Sequence, residues 1–212
     1  PSLYPIIMEW ITTTSDPAIT CYSTMILKSM ISMKPKQMNS CAKEIAAASF
    51  ALLNNSLQNN FLLFNVLRAL SFHYTDVMIE CIDEFTPIVL AGIDHPDINV
   101  REKAIKTIYP LVVVCNSKKN FQHILTAFLM KTLEISNLVH DTYDEQSLSV
   151  SGTAVKQACR LITLASDYSL LPQILSSVVH VAKMPSMNCL HLASRGFSII
   201  SELISRVPGN IE

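Results

Sequence analysis

Apolar residues recur along the chain at intervals of three and four, and strict alternation of apolar and polar residues is not sustained anywhere. That spacing puts apolar side chains on one side of a helix, so the pattern predicts an all-α protein. Tyr22, Met25, Ile26, Leu27, Met30 and Ile31 make the apolar side of a helix opened by Asp16 and Pro17, with Ser15 placed to cap it. The KPK at 34–36 ends that helix. A second helix is predicted over about 40–53, through Ile45, Ala46, Phe50 and Leu53. A third, over about 59–73, is apolar nearly all round (FLLFNVLRALSF), as a buried element should be.

Farther on, Thr75 is positioned to cap a helix at Asp76, and Pro87 to kink it or to start another ending near Gly92. A turn at His95-Pro96-Asp97 then leads into a long helix reaching about Cys115, bent at Pro110. The remaining helices are predicted over roughly 118–135, 151–166, 169–183 and 187–206. The connections are short except 136–150, SNLVHDTYDEQSLSV, where Tyr143 stands among Asp141, Asp144 and Glu145. That stretch reads as a long connector, with a partner-binding loop as the alternative.

The stretch HPDINVREKAIKTIYPL, from His95, places Val100, Ala104, Ile105, Ile108 and Leu111 on one helical face. Ala104 is small where two helices should approach closely. MPSMNCLHLASRGFSII, from Met184, aligns with it without a gap: Pro96 with Pro185, Asn99 with Asn188, Ala104 with Ala193, Ile108 with Phe197. Pro-Asp, two residues, Val-Arg, two residues and Ala resembles the turn and second helix of a HEAT or armadillo repeat. The separation of 89 residues is two units of about 44, within the roughly 40–47 residues of such repeats. Two departures stand out: His95 precedes the proline where the family often has an acid, and Leu190 replaces Arg101 in the later copy.

The resemblance implies a right-handed α-solenoid of about five stacked HEAT/armadillo-like repeats, with residues 1–212 as one helical-repeat domain. It also implies a non-catalytic scaffold that binds a partner protein or peptide along its surface. In solenoids of this family the second helices of successive repeats line the surface that takes extended ligands. In this chain that assigns partner binding to Asn99, Lys103, Lys106, Asn188 and Arg195, with Lys106 and Arg195 at equivalent positions. Lys103, Lys106 and Pro110 share a side of their helix away from Val100, Ala104 and Ile108.

Composition narrows the functional classes. Half of the 212 residues are hydrophobic, 16% are charged and the formal net charge is -1, which excludes a disordered chain. It is more apolar than a globular average of about 25% charged residues. Helices buried on two sides, or surfaces covered by the rest of a larger protein, explain such a composition. The near-zero charge disfavours the rival reading, a nucleic-acid-binding helical-repeat domain, because phosphate contact needs a basic stripe. The one local excess of bases is at 101–132, with six Lys or Arg against a single acid. No apolar run approaches the roughly 18 residues of a membrane span, so no membrane insertion is expected. The chain opens on Pro1 without a signal-peptide pattern and reads as a section of a longer cytoplasmic or nuclear protein.

The residues that could carry chemistry are dispersed. The six cysteines stand 20 or more residues apart, mostly in apolar stretches, which suggests buried, reduced thiols rather than a disulfide framework or a zinc site. The four glycines do not cluster into a phosphate-cradling loop. Cys189 and His191, two apart on a helix, point in different directions and make a poor metal pair. Neither an enzyme nor a cofactor is expected. Asp76, Glu80, Asp83 and Glu84 form an acidic stripe opposite Met78, Ile82 and Phe85, the solvated side of an amphipathic helix or a site for a basic peptide.

Overall fold

In the computed structural model, the described residues are 3–14, 16–33, 36–117, 119, 121–137 and 144–206. Among them every regular element is a helix, and the chain divides into two compact units, Pro1–Cys115 and Asn116–Glu212.

The first unit opens with α1 (Tyr4–Thr13), α2 (Pro17–Ser32), α3 (Lys36–Asn39), α4 (Ala42–Asn55) and α5 (Leu57–Asn60). It continues with α6 (Leu63–His73), α7 (Thr75–Glu80), α8 (Ile82–Ile93) and α9 (Ile98–Val114). Three pairs recur: α1 packs on α2, α4 on α6 and α8 on α9. The pairs stack through their second helices, α2 on α6 and α6 on α9, while α4 meets α8 in the other row. In that row the rings of Phe50 and Phe85 lie 5.7 Å apart, and Tyr4 Oη donates to Glu44 Oε2 at 3.3 Å. The central helix α6 is buried almost all round, through Leu63, Phe64, Val66, Leu67, Ala69 and Leu70. Its apolar sequence is what contact with helices on two sides requires.

The second unit holds α10 (Phe121–Asn137), α11 (Glu145–Ile162), α12 (Leu171–Ala182) and α13 (Met187–Arg206). Here α10 packs on α11 and α12 on α13, and the pairs stack through α11 on α13 and α10 on α12. Small residues permit the close contacts. A Cβ at Gly152 would come 2.6 Å from Leu192 Cδ1, and one at Gly196 would come 3.1 Å from Val178 Cγ2 and 3.2 Å from Cys159 Sγ. Two buried groups bond across helices: Ser151 Oγ donates to the Ser136 carbonyl at 2.7 Å, and Cys189 Sγ to the Leu148 carbonyl at 3.5 Å.

The turn at His95 forms as its residues dictate. Asp97 caps α9 by accepting the Asn99 N–H at 2.8 Å, and His95 Nδ1 accepts the Asp97 N–H at 3.0 Å. The aligned copy matches at the backbone, since α9 begins at Ile98 and α13 at Met187, 89 residues later. Val100, Ala104, Thr107 and Leu111 are buried, and so are their counterparts Cys189, Ala193, Gly196 and Ile200. Not every pairing follows: Ile105 and Ile108 are fully buried, whereas their counterparts Ser194 and Phe197 are exposed, Phe197 by 40%.

Other boundaries differ from the sequence reading. Ser15 lies outside the described residues; Asp16 itself caps α2, accepting the Ala18 N–H at 2.8 Å. Thr75 is no cap, because its hydroxyl donates to the Ser71 carbonyl at 3.0 Å. The break expected at Pro87 falls at Cys81, and Pro87 sits inside α8, early enough that its missing N–H forfeits one bond of the first turns. Of the stretch 136–150, residues 138–143, Tyr143 included, lie outside the described residues. The rest is helical: Asp144 caps α11 by accepting the Ser147 N–H at 2.8 Å, so this helix starts six residues earlier than predicted, with Leu148 and Val150 buried.

Candidate partner-binding face

The row α2, α6 and α9 of the first unit buries one side of each helix against α1, α4 and α8. What each helix leaves toward solvent follows from its sequence. On α9 this line runs through Asn99, Glu102, Lys106, Tyr109 and Val113, with Lys103 on its flank. On α6 it is Asn65, Arg68 and Phe72, and on α2 it includes Met25 and Lys28. Pro110, expected beside Lys103 and Lys106, is buried instead, since it turns toward the packed side of α9.

The lysines of α9 are part-buried. Glu102 holds the Lys106 ammonium in an ion pair one turn away and lies 3.9 Å from that of Lys103. Burial lowers the pKa of Lys103, and the positive charges of Lys106, Arg68 and Lys28 lower it further, against the pull of Glu102. Four cations from three stacked helices therefore share one field, with Phe72, Met25 and Val113 exposed around them. A basic patch with apolar side chains between its charges can take an acidic segment that also carries hydrophobic groups.

The predicted site residues are distributed as follows. Lys103 and Lys106 are in this cluster, and Asn99 is exposed on the first turn of the same helix. Asn188 and Arg195 belong to the second unit, exposed seven residues apart on one side of α13. Lys28 and Arg68 had no signal in the sequence, since each is an isolated cation in an apolar helix that only stacking brings to its neighbours.

The acidic stripe is solvated, as an amphipathic surface predicts. Asp76, Glu80, Asp83 and Glu84 are all exposed, divided between α7 and α8. Glu80 pairs with Lys43 at 2.7 Å, and this bond lowers the Glu80 pKa and raises that of Lys43. None of the six cysteines is in a disulfide, and burial pushes the Cys159 thiol up to about 12. Among the described residues no group of three or more His, Cys, Asp or Glu could hold a metal ion, and no helix is long and apolar enough to cross a membrane.

No family model matches the chain, and neither a curated protein nor a solved structure matches it.

Proposed function

We propose that the chain is a non-catalytic scaffold, a HEAT/armadillo-like α-solenoid that binds an acidic segment of a partner protein along α2, α6 and α9. The observation that carries this reading is the stacking of α2 on α6 and α6 on α9, which brings Lys28 and Arg68 close enough to the α9 lysines for their charges to help lower the Lys103 pKa. Stacked helices hold such side chains at fixed spacings, so an extended segment meets them without the scaffold having to reorganise. The dispersed, reduced thiols support a place in the cytoplasm or nucleus. The same basic cluster is the feature that favours the second reading, nucleic-acid binding, and the net charge of -1 weighs against it.

A fluorescently labelled oligoglutamate peptide with a central tryptophan, compared with single-stranded DNA of similar charge, separates the two. The scaffold reading expects the peptide to bind the more tightly at moderate salt, through combined charge and apolar contact. Preference for the DNA, lost steeply as salt rises, would establish the nucleic-acid reading in its place. Binding of neither would remove the basic face as the site.

A further inference from the structure

The helices α2, α6 and α9 are short of negative charge. Together they hold five Lys or Arg and a single carboxylate, Glu102. That carboxylate is already engaged, paired with the Lys106 ammonium and 3.9 Å from that of Lys103. Lys103 is half-withdrawn from solvent, its side chain 24% exposed, and stacking brings Arg68 of α6 and Lys28 of α2, both part-exposed, toward it. The crowding is felt there: burial lowers the Lys103 pKa, and Lys106, Arg68 and Lys28 lower it further while Glu102 opposes them.

Lys28, Arg68, Lys103 and Lys106 against Glu102 leave an excess of three positive charges. A carboxylate from a partner would bring one negative charge and two oxygens in a plane. A phosphate monoester brings about 1.5 to 2 negative charges and three acceptor oxygens at tetrahedral angles. Ammonium and guanidinium groups arriving from three different helices can each meet a separate oxygen of such a group.

We infer that the face takes a phosphorylated segment of its partner, with the phosphate of one side chain seated among Lys28, Arg68, Lys103 and Lys106. This rests on the reading of α2, α6 and α9 as the partner-binding face and specifies the group that anchors there. The cations gather at one spot, where a nucleic acid would need a stripe. Met25, Phe72 and Val113, exposed around them, offer contact to apolar side chains flanking the phosphate.

Three labelled peptides, alike but for the centre, test this: one carries phosphoserine beside a tryptophan, one serine, and one a glutamate pair of matching charge. The phosphopeptide is expected to bind at least about tenfold more tightly than the glutamate peptide, the worth of one added charge-assisted hydrogen bond. Lys103→Gln should abolish that preference, and Lys28→Gln takes its place if melting shows that the first variant fails to fold. Equal affinity for the phosphoserine and glutamate peptides would overturn the phosphate site and leave the acidic-segment reading standing. Binding of none of the three would overturn both. A phosphoserine preference that survives in the folded variant would also overturn the site, since the phosphate would then bind elsewhere. No phosphoserine preference, with sedimentation on phosphatidylcholine vesicles only when they carry phosphatidylinositol bisphosphate, would overturn the partner segment in favour of a membrane lipid.

Discussion

Gly92 of α8 and Ala104 of α9 approach so closely that a Cβ built on the glycine would lie 2.7 Å from the Cβ of the alanine. Phe64 closes the same spot from α6, its Cζ also 2.7 Å from that position. Two small residues and one ring thus set the distance between α8, α9 and the helix on which they stack. Residues at this junction are fully buried, so a change in volume has nowhere to go.

Gly92→Ala tests that contact directly. In an ordinary helix interior the exchange stabilises by about 0.5–1 kcal/mol. Here the added methyl must displace Ala104 or Phe64, and overpacking of this kind costs about 1–3 kcal/mol. Urea unfolding should therefore show a net loss of about 1–2 kcal/mol. A gain in stability would mean that the helices are farther apart than described.

Ala104→Asp and Ala193→Asp test the equivalence of α9 and α13. Both alanines are fully buried. Either substitution buries a carboxylate without a partner or forces its protonation, at a cost of several kcal/mol. Both variants should lose their cooperative melt or melt far below the parent. Melting within a degree or so of the parent would break the alignment at the substituted site.

The helical class and most helices were legible because apolar residues at three- and four-residue spacing survive even in buried helices such as α6. The first helix was not. YPIIMEWITT has no capping side chain, its polar side is limited to Glu9, Thr12 and Thr13, and it packs on α2. The start of α11 was hidden for the opposite reason, since EQSLS looks like a polar connector and only Leu148 and Val150 reach the core. The break at Cys81 has no glycine or proline to mark it, whereas Pro87, the visible breaker, fits within α8. At the candidate face, Lys103 and Lys106 could be read from one helix. Lys28 and Arg68 could not, because sequence distance carries no information about which helices stack.

Alkylation followed by mass spectrometry should find no native disulfide and an ordered reactivity. Cys21 and Cys41, part-exposed, should react first, while Cys115, Cys159 and Cys189 stay protected until denaturant is added. An intramolecular disulfide in the non-reduced protein would contradict this.

Alkaline pH should destabilise the fold through Cys159. In the unfolded chain this thiol loses its proton near its ordinary 9.0, and in the folded chain burial holds the proton to about 12. Between those values the folded state binds more protons than the unfolded one, so stability falls as pH rises through that window. Cys159→Ala is expected to flatten the decline above pH 9. An unchanged decline would assign it to other groups.

The central claim is that α2, α6 and α9 together form the partner-binding face, and a Lys28→Glu/Lys103→Gln double variant tests it most directly. Both side chains are part-exposed, on different helices, and Gln keeps most of the volume of Lys103, so the variant should still fold, which its melting temperature checks. The measurement is the dissociation constant of the labelled oligoglutamate peptide for the parent and for the variant. If the face acts as described, the variant binds at least about tenfold more weakly, as loss of two charges worth about 1 kcal/mol each requires. Equal affinity in a variant with unchanged stability would contradict the account.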